Sequence, residues 1–424
     1  MVARRTPVLN LRSSVAVLLL AAGMTGCHPG AASVSEIPSS EASGPPGQTA
    51  SPPLASSKPA PTPGPTASPP PAWSKLTPTP LVTAPFSGVG NQFLFAAAPY
   101  GDGFVAVGED LRFDGPVNGA VWTSPNGVDW ARLGVAENDL ADAEVDLVAT
   151  DGMRLVAIGG ARAGDRVGEG LDRMVWVSDD SVSWHRVSDG KQLFDGVFIR
   201  GVAGGPAGFV AWGAEGTRAV VFHSDDGTTW QRTANNAALL AAEVSAVTAY
   251  RGGFVAIGMH RPEPAAGSVL IVGGPDTSTA AAWWSPDGRS WSASDIDAGS
   301  GLHTLEVGAT GLLALGGSGC GGCIGPGIVW RSDDGRKWRR VGADALVSPS
   351  YASDGARIIR YDRRHAGEVS STADGTTWQR VADLGDIGYD GFVVGRHGIL
   401  FLESIQKGGS RDEVDGGVLY VAAE

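Results

Sequence analysis

The sequence predicts an all-β fold: a seven-bladed β-propeller of four-stranded blades, closed by an N-terminal strand around Trp73 that completes the last blade. Three observations carry this. A short turn motif ending in tryptophan recurs six times, and a short apolar strand ended by glycine recurs upstream of it. Successive copies lie about 40 to 60 residues apart, the length of a four-stranded blade. Composition agrees, since 62 Gly and 13 Trp beside only 18% charged residues favour turns, short strands and aromatic packing over long helices.

Taken along the chain, residues 1–26 read as an export signal. Arg4, Arg5 and Arg12 give a positive start, and Val15 to Met24 is an apolar run too short to span a bilayer stably. The run ends in Met24-Thr25-Gly26-Cys27, which resembles the lipobox of bacterial lipoproteins. The resemblance implies a lipid on Cys27, a mature chain that starts there, and anchorage on the extracytoplasmic face of the cell membrane. Residues 27–72 hold 13 of the 27 prolines and no aromatic residue, so they cannot bury enough apolar surface to offset their chain entropy. They read as a tether that would reach roughly 140 Å if fully extended.

The propeller is expected over residues 73–424. The six turns are SPNGVDW (124–130), SDDSVSW (178–184), SDDGTTW (224–230), SPDGRSW (285–291), SDDGRKW (332–338) and TADGTTW (372–378). An aromatic stands two residues before the Ser five times: Trp122, Trp176, Phe222, Trp283 and Trp330. Strand, tight turn, strand is the reading. The upstream strands are GFVAVG (103–108), RLVAIGG (154–160), GFVAWG (208–213), GFVAIG (253–258), GLLALGG (311–317), ARIIRY (356–361) and GILFLE (398–403). With inner strands such as VDLVAT (145–150), each unit becomes strands A to D, and the turn motif joins C to D. The seventh unit ends after its C strand, GVLYVA (417–422), while Trp73-Ser74-Lys75-Leu76 is a D strand without a blade. Joining the two closes the ring and removes an open sheet edge.

The turns resemble the Asp-box, or BNR, repeat of sialidase-like propellers, over nearly all of residues 73–424. The resemblance implies that Asn126, Asp180, Asp226, Asp287, Asp334 and Asp374 are structural, accepting backbone N–H bonds inside the turn, with Gly supplying positive φ and Ser181 replacing it once. The copies are one residue shorter than the family's spacing. One carboxylate per turn is too few oxygens for calcium, and no metal or cofactor is expected.

Strand direction places the long B–C loops and the D–A connections on one face and the motif turns on the other. Length variation on one face of a rigid scaffold marks the binding face. Its candidate ligand-binding residues are Arg112, Arg162, Arg166, Arg173, Arg261, Arg363, Arg364 and Arg411. Gathered on a chain of net charge −13, they could take carboxylate, sulfate or phosphate groups; the other reading is a solvated rim of arginines paired to neighbouring acids. Cys320 and Cys323, in a glycine-rich loop, read as a small disulfide in an exported chain. A redox pair would want a helix N-terminus, and a metal would need two more ligands.

The acidic surface argues against nucleic acid and against polybasic attachment to anionic lipid. The function expected is non-catalytic binding of a cell-envelope glycan or protein by a monomer held at the membrane through its N-terminal lipid. A sialidase-like glycoside hydrolase is the alternative. The family's Arg-Ile-Pro signature is absent, and only Tyr351 and Tyr389 stand near inner strands as nucleophile candidates without an evident glutamate partner, so no catalytic residue is carried over.

Overall fold

A computed structural model describes residues 73, 75–112, 115–161, 172–187, 193–233, 237–239, 241–260, 279–299, 301–316, 327–344, 350–407 and 413–424. Seven sheets of antiparallel strands form the ring. Blade 1 comprises Asn91–Tyr100, Gly103–Leu111, Val117–Ser124 and Ala131–Arg132 as strands A to D. Blade 2 comprises Glu144–Thr150, Leu155–Ala161, Asp172–Ser178 and His185–Val187. Blade 3 is Phe198–Gly205, Gly208–Glu215, Arg218–Ser224 and Trp230–Arg232. Blade 4 is Ala242–Tyr250, Gly253–His260, Thr279–Ser285 and Ser292–Ala293. Blade 5 has Leu302–Gly308, Gly311–Gly316, Gly327–Ser332 and Lys337–Asp344. Asp295–Ile296 adds a parallel fifth strand on its outer edge, which the repeat pattern does not foretell. Blade 6 has Ser350–Ser353, Ile358–Asp362, Glu368–Thr372 and Gln379–Asp383.

Blade 7 is built from both ends of the chain. Gly391–Gly395, Gly398–Gln406 and Val414–Ala423 supply A to C, and Leu76–Pro78 supplies D, pairing antiparallel with Val421 to Ala423. The predicted closure therefore stands, with its strand starting at Leu76 rather than Trp73. Trp73 serves instead as a buried plug, with the Arg357 guanidinium 4.2 Å from its ring. Thr79 adds two hydrogen bonds to the Tyr420 carbonyl, and Val82 bridges to Val418.

The core lies in the seams between blades. The B strands are buried along their apolar runs and pack against both neighbours, as those runs foretold. Trp122, Trp176, Trp283 and Trp330, on the C strands, are fully buried. Each indole N–H donates to a carbonyl of the segment leading into its own blade: Pro85 at 2.6 Å, Asp139 at 3.0 Å, Ala238 at 2.7 Å and Asp297 at 3.3 Å. Phe222, with no N–H, packs edge-on to Phe194 at 4.7 Å instead.

All six motif turns join C to D on one face. In every copy the Asp or Asn Oδ1 accepts two consecutive backbone N–H bonds at 2.7–2.9 Å. The Trp indole N–H of the first five copies donates to the carbonyl three residues before it, from Trp230 to Gly227 at 2.8 Å for example. The turn glycine has a second duty. At Gly288 φ is +73°, and an added Cβ would stand 2.7 Å from Val210 of the preceding blade. Gly127, Gly227, Gly335 and Gly375 meet Tyr420, Val156, Val255 and Leu313 in the same way. Ser181 takes φ +67° and meets blade 1 through a 3.1 Å contact between its hydroxyl and that of Thr123. The turns are thus the clasps between neighbouring blades.

Candidate functional site

On the turn face, side chains clasp neighbouring blades. Tyr100 donates to the carbonyl of Asp179, and Arg154 grips the Asp179 carboxylate and the Asp226 carbonyl of the next blade. The opposite face is built differently. In blades 1 to 5 the A strand is bulged close to its start, and the extra residues are Phe95, Asp146, Arg200, Ser245 and His303. A bulge re-aims side chains, and here it does so at the same height in five successive blades around the channel mouth. Phe93 and Phe95 lie parallel there at 6.1 Å, and Phe198 is 63% exposed.

The structure describes four of the eight candidate arginines. Arg173 is buried and bonds the bulge residue Asp146 at 3.0 Å, its guanidinium 6.0 Å from the Phe198 ring. Arg112 stands 3.7 Å from Asp110, a carboxylate held more tightly by Arg132 at 2.9 Å and by Gln92 at 2.7 Å. Arg363 pairs with Asp386, and Arg364 is exposed on the same blade 6 turn. These residues sit on blades 1, 2 and 6, so they do not converge on one anion. Arg162, Arg166, Arg261, Arg411, Cys320, Cys323 and Cys27 lie outside the described residues.

Of the tyrosines, Tyr389 shares a 2.6 Å hydrogen bond with Ser350 and stands edge-on to Tyr361 and Phe401. Burial raises its pKa against the opposing pull of Ser350 and Arg363, the wrong direction for a phenolate nucleophile. Tyr351 packs on Trp378, which also carries the Arg360 guanidinium at 4.3 Å. Among the described residues no three His, Cys, Asp or Glu side chains converge as metal ligands would.

Two features escape sequence reasoning. Glu306, on the blade 5 A strand, is half-buried; the loss of solvent around it pushes its carboxyl up to about 7 against a hydrogen bond from Ser353 of blade 6. A lone acid in the inner-strand stretch LHTLEVG (302–308) was the available signal. Arg200 Nη1 pairs with Glu243 Oε1 at 2.7 Å across the seam of blades 3 and 4, beside a cavity of ≈ 160 Å³. Nothing local in the sequence joins those two residues.

No protein-family model matches the chain, and no curated protein does. Among solved structures the chain is similar to YCF48 bound to D1 peptide, at 12% identity and TM-score 0.47, over 83% of this chain and 98% of that one. It is also similar to the β-propeller domain of the trilobed protease from Pyrococcus furiosus, at 11% identity and TM-score 0.48, over 78% and 97%. A third is the acylaminoacyl peptidase of Pyrococcus horikoshii, at 9% identity and TM-score 0.47, over 78% and 52%.

Proposed function

We propose that this chain is a lipid-anchored, extracytoplasmic binding protein of the cell envelope, whose propeller takes a glycan or protein ligand on the face of the B–C loops and D–A connections. The observation that carries the reading is the asymmetry of the two faces. One is knit together by clasps between blades, with Val128, Met153 and Val182 exposed between them. The other has five bulged inner strands, two of which carry the half-buried pair Phe93 and Phe95 and the exposed Phe198 among paired charges at the channel mouth. Aromatic surface beside satisfied polar groups suits reversible recognition. The anchor rests on Cys27 and the apolar run before it, and the tether of residues 27–72 would carry the propeller clear of the membrane. Burial that raises the Tyr389 pKa favours binding over the hydrolase reading, which keeps the sialidase-like turns as its support.

The test isolates the chain from membranes, where a C27S variant is expected to be missing, and compares capture of envelope components by face variants. F198S with R364A should weaken capture at least about tenfold, a change of ~1.4 kcal/mol. M153S, at an exposed position on the turn face, should leave it unchanged. Loss with M153S alone would place the ligand on the other face. Turnover of a fluorogenic sialoside that survives repurification would move the reading to the hydrolase.

A further inference from the structure

The cavity between blades 3 and 4 opens on the long-loop face. Blade 3 joins its B and C strands through Gly216 and Thr217 alone, the shortest such connection of the seven, so its own loop leaves the cavity uncovered. Ala214, Ala219 and Ala242 give it small apolar walls, while Thr217 and the Arg200–Glu243 pair supply polar groups. The pair is a bulge residue of one blade and an inner-strand residue of the next, and both side chains keep partial access to solvent, 35% and 23%.

We infer that this cavity is a subsite for one unit of a neutral saccharide. The inference rests on the long-loop face being the binding face and names the ligand class for it. Charge decides the class. Arg200 and Glu243 neutralise each other at 2.7 Å, so among the described residues lining the cavity an ionic ligand would give up its hydration without an unpaired counter-charge to meet it. A hydroxyl both donates and accepts. It can donate to the Glu243 carboxylate and accept from the Arg200 guanidinium, and neighbouring hydroxyls on one ring can do both at once. Size agrees, because ≈ 160 Å³ is well under the few hundred Å³ of a pocket for a drug-sized ligand and suits a single ring. Phe198 lies two residues before Arg200 on the same strand and is 63% exposed; its apolar ring face can receive the C–H face of the next unit. The rim arginines Arg173 and Arg363, each paired with a carboxylate, point the same way.

The experiment is saturation-transfer NMR and calorimetric titration of the intact chain with maltotriose, cellotriose, mannotriose and chitotriose, beside 3′-sialyllactose. At least one neutral trisaccharide is expected to bind more tightly than the sialylated one. A219F, which fills the cavity, and E243Q, which keeps its shape but leaves the site cationic, should each weaken that binding at least about tenfold. E243Q serves if A219F does not fold. Binding unchanged in either folded variant overturns the site, and binding of sialyllactose alone overturns the ligand class. Failure of all neutral sugars at millimolar concentration overturns the inference too; capture that still depends on Phe198 and Arg364 would then leave the proposed binding face standing.

Discussion

The aspartate of the motif turn works through its oxygen rather than its charge, because Asn126 makes the same two N–H bonds as its five carboxylate counterparts. The charge shows itself in acid. At Asp180 the Ser183 N–H, against the opposing effect of burial, holds the carboxyl at about 2. At Asp226 burial acts to raise the pKa, but the bonds from Thr229 and Thr228 outweigh it and leave the group at about 2. A folded pKa below the unfolded value near 4 gives stability that is complete above pH ~4 and lost as pH falls through ~2. D180N/D226N should therefore show a shallower fall in Tm than the parent between pH 4 and 2, at similar Tm near neutrality. Parallel curves would put the acid lability elsewhere. These residues were legible because each turn is a local device closed within seven positions. The arginines were not, because each partnership is settled by folding: Arg173 finds Asp146 on another strand, and Arg200 finds Glu243 on another blade.

At the scale of elements, blade 7 depends on a three-residue strand whose partner lies at the far end of the chain. Its pairing, the Thr79 bonds and the buried Trp73 plug all sit within residues 73–82. Deleting residues 73–80 is expected to lower Tm by several degrees and to expose the Val414–Ala423 edge to aggregation. A truncated chain that melts with the parent would remove that strand from the closure. The strand was legible from an unmatched Trp-x-x-Leu before the first blade. Its shift to Leu76 was not, since Trp73 is drawn into the seam of blades 6 and 7 and under Arg357. Bulges also left no readable mark, because the one-residue break in alternation falls near the start of short strands where the pattern is too brief to show it.

For the whole ring, the seams are unequal. The seam between blades 5 and 6 has only Leu313, Leu315, Val329 and Ile358 as buried apolar residues among those described, with Tyr351 and Trp378 packed against them. The seam of blades 3 and 4 has thirteen. Blade 6 carries Ser370 where five other blades have a buried aromatic, and Glu306 of the blade 5 inner strand faces Ser353 of blade 6. Burial raises the folded pKa of Glu306 to about 7, above its value in the unfolded chain. Its stabilising share is then complete below the unfolded pKa and is lost as pH rises toward 7. E306Q, which can keep a bond to Ser353, should flatten the decline in Tm between pH 5 and 7.5. An unchanged decline would show that another group links that seam to pH. Seven blades could be counted in the sequence since each repeats the same strand and turn. How the described seams differ could not, because that depends on what each blade presents to its neighbour.

Each clasp glycine rests on the blade before it in the sequence, except that of blade 1, which rests on Tyr420 near the C-terminus. A chain emerging from its N-terminus can therefore lay blades 3 to 6 each against a neighbour already made. Blade 1 has to wait for the final residues, and so does the strand Leu76–Pro78, which meets its partner only when Val421 to Ala423 have appeared. Such a molecule is an open arc throughout synthesis and becomes a circle in a single last event, so that every truncated product, however long, lacks its lock.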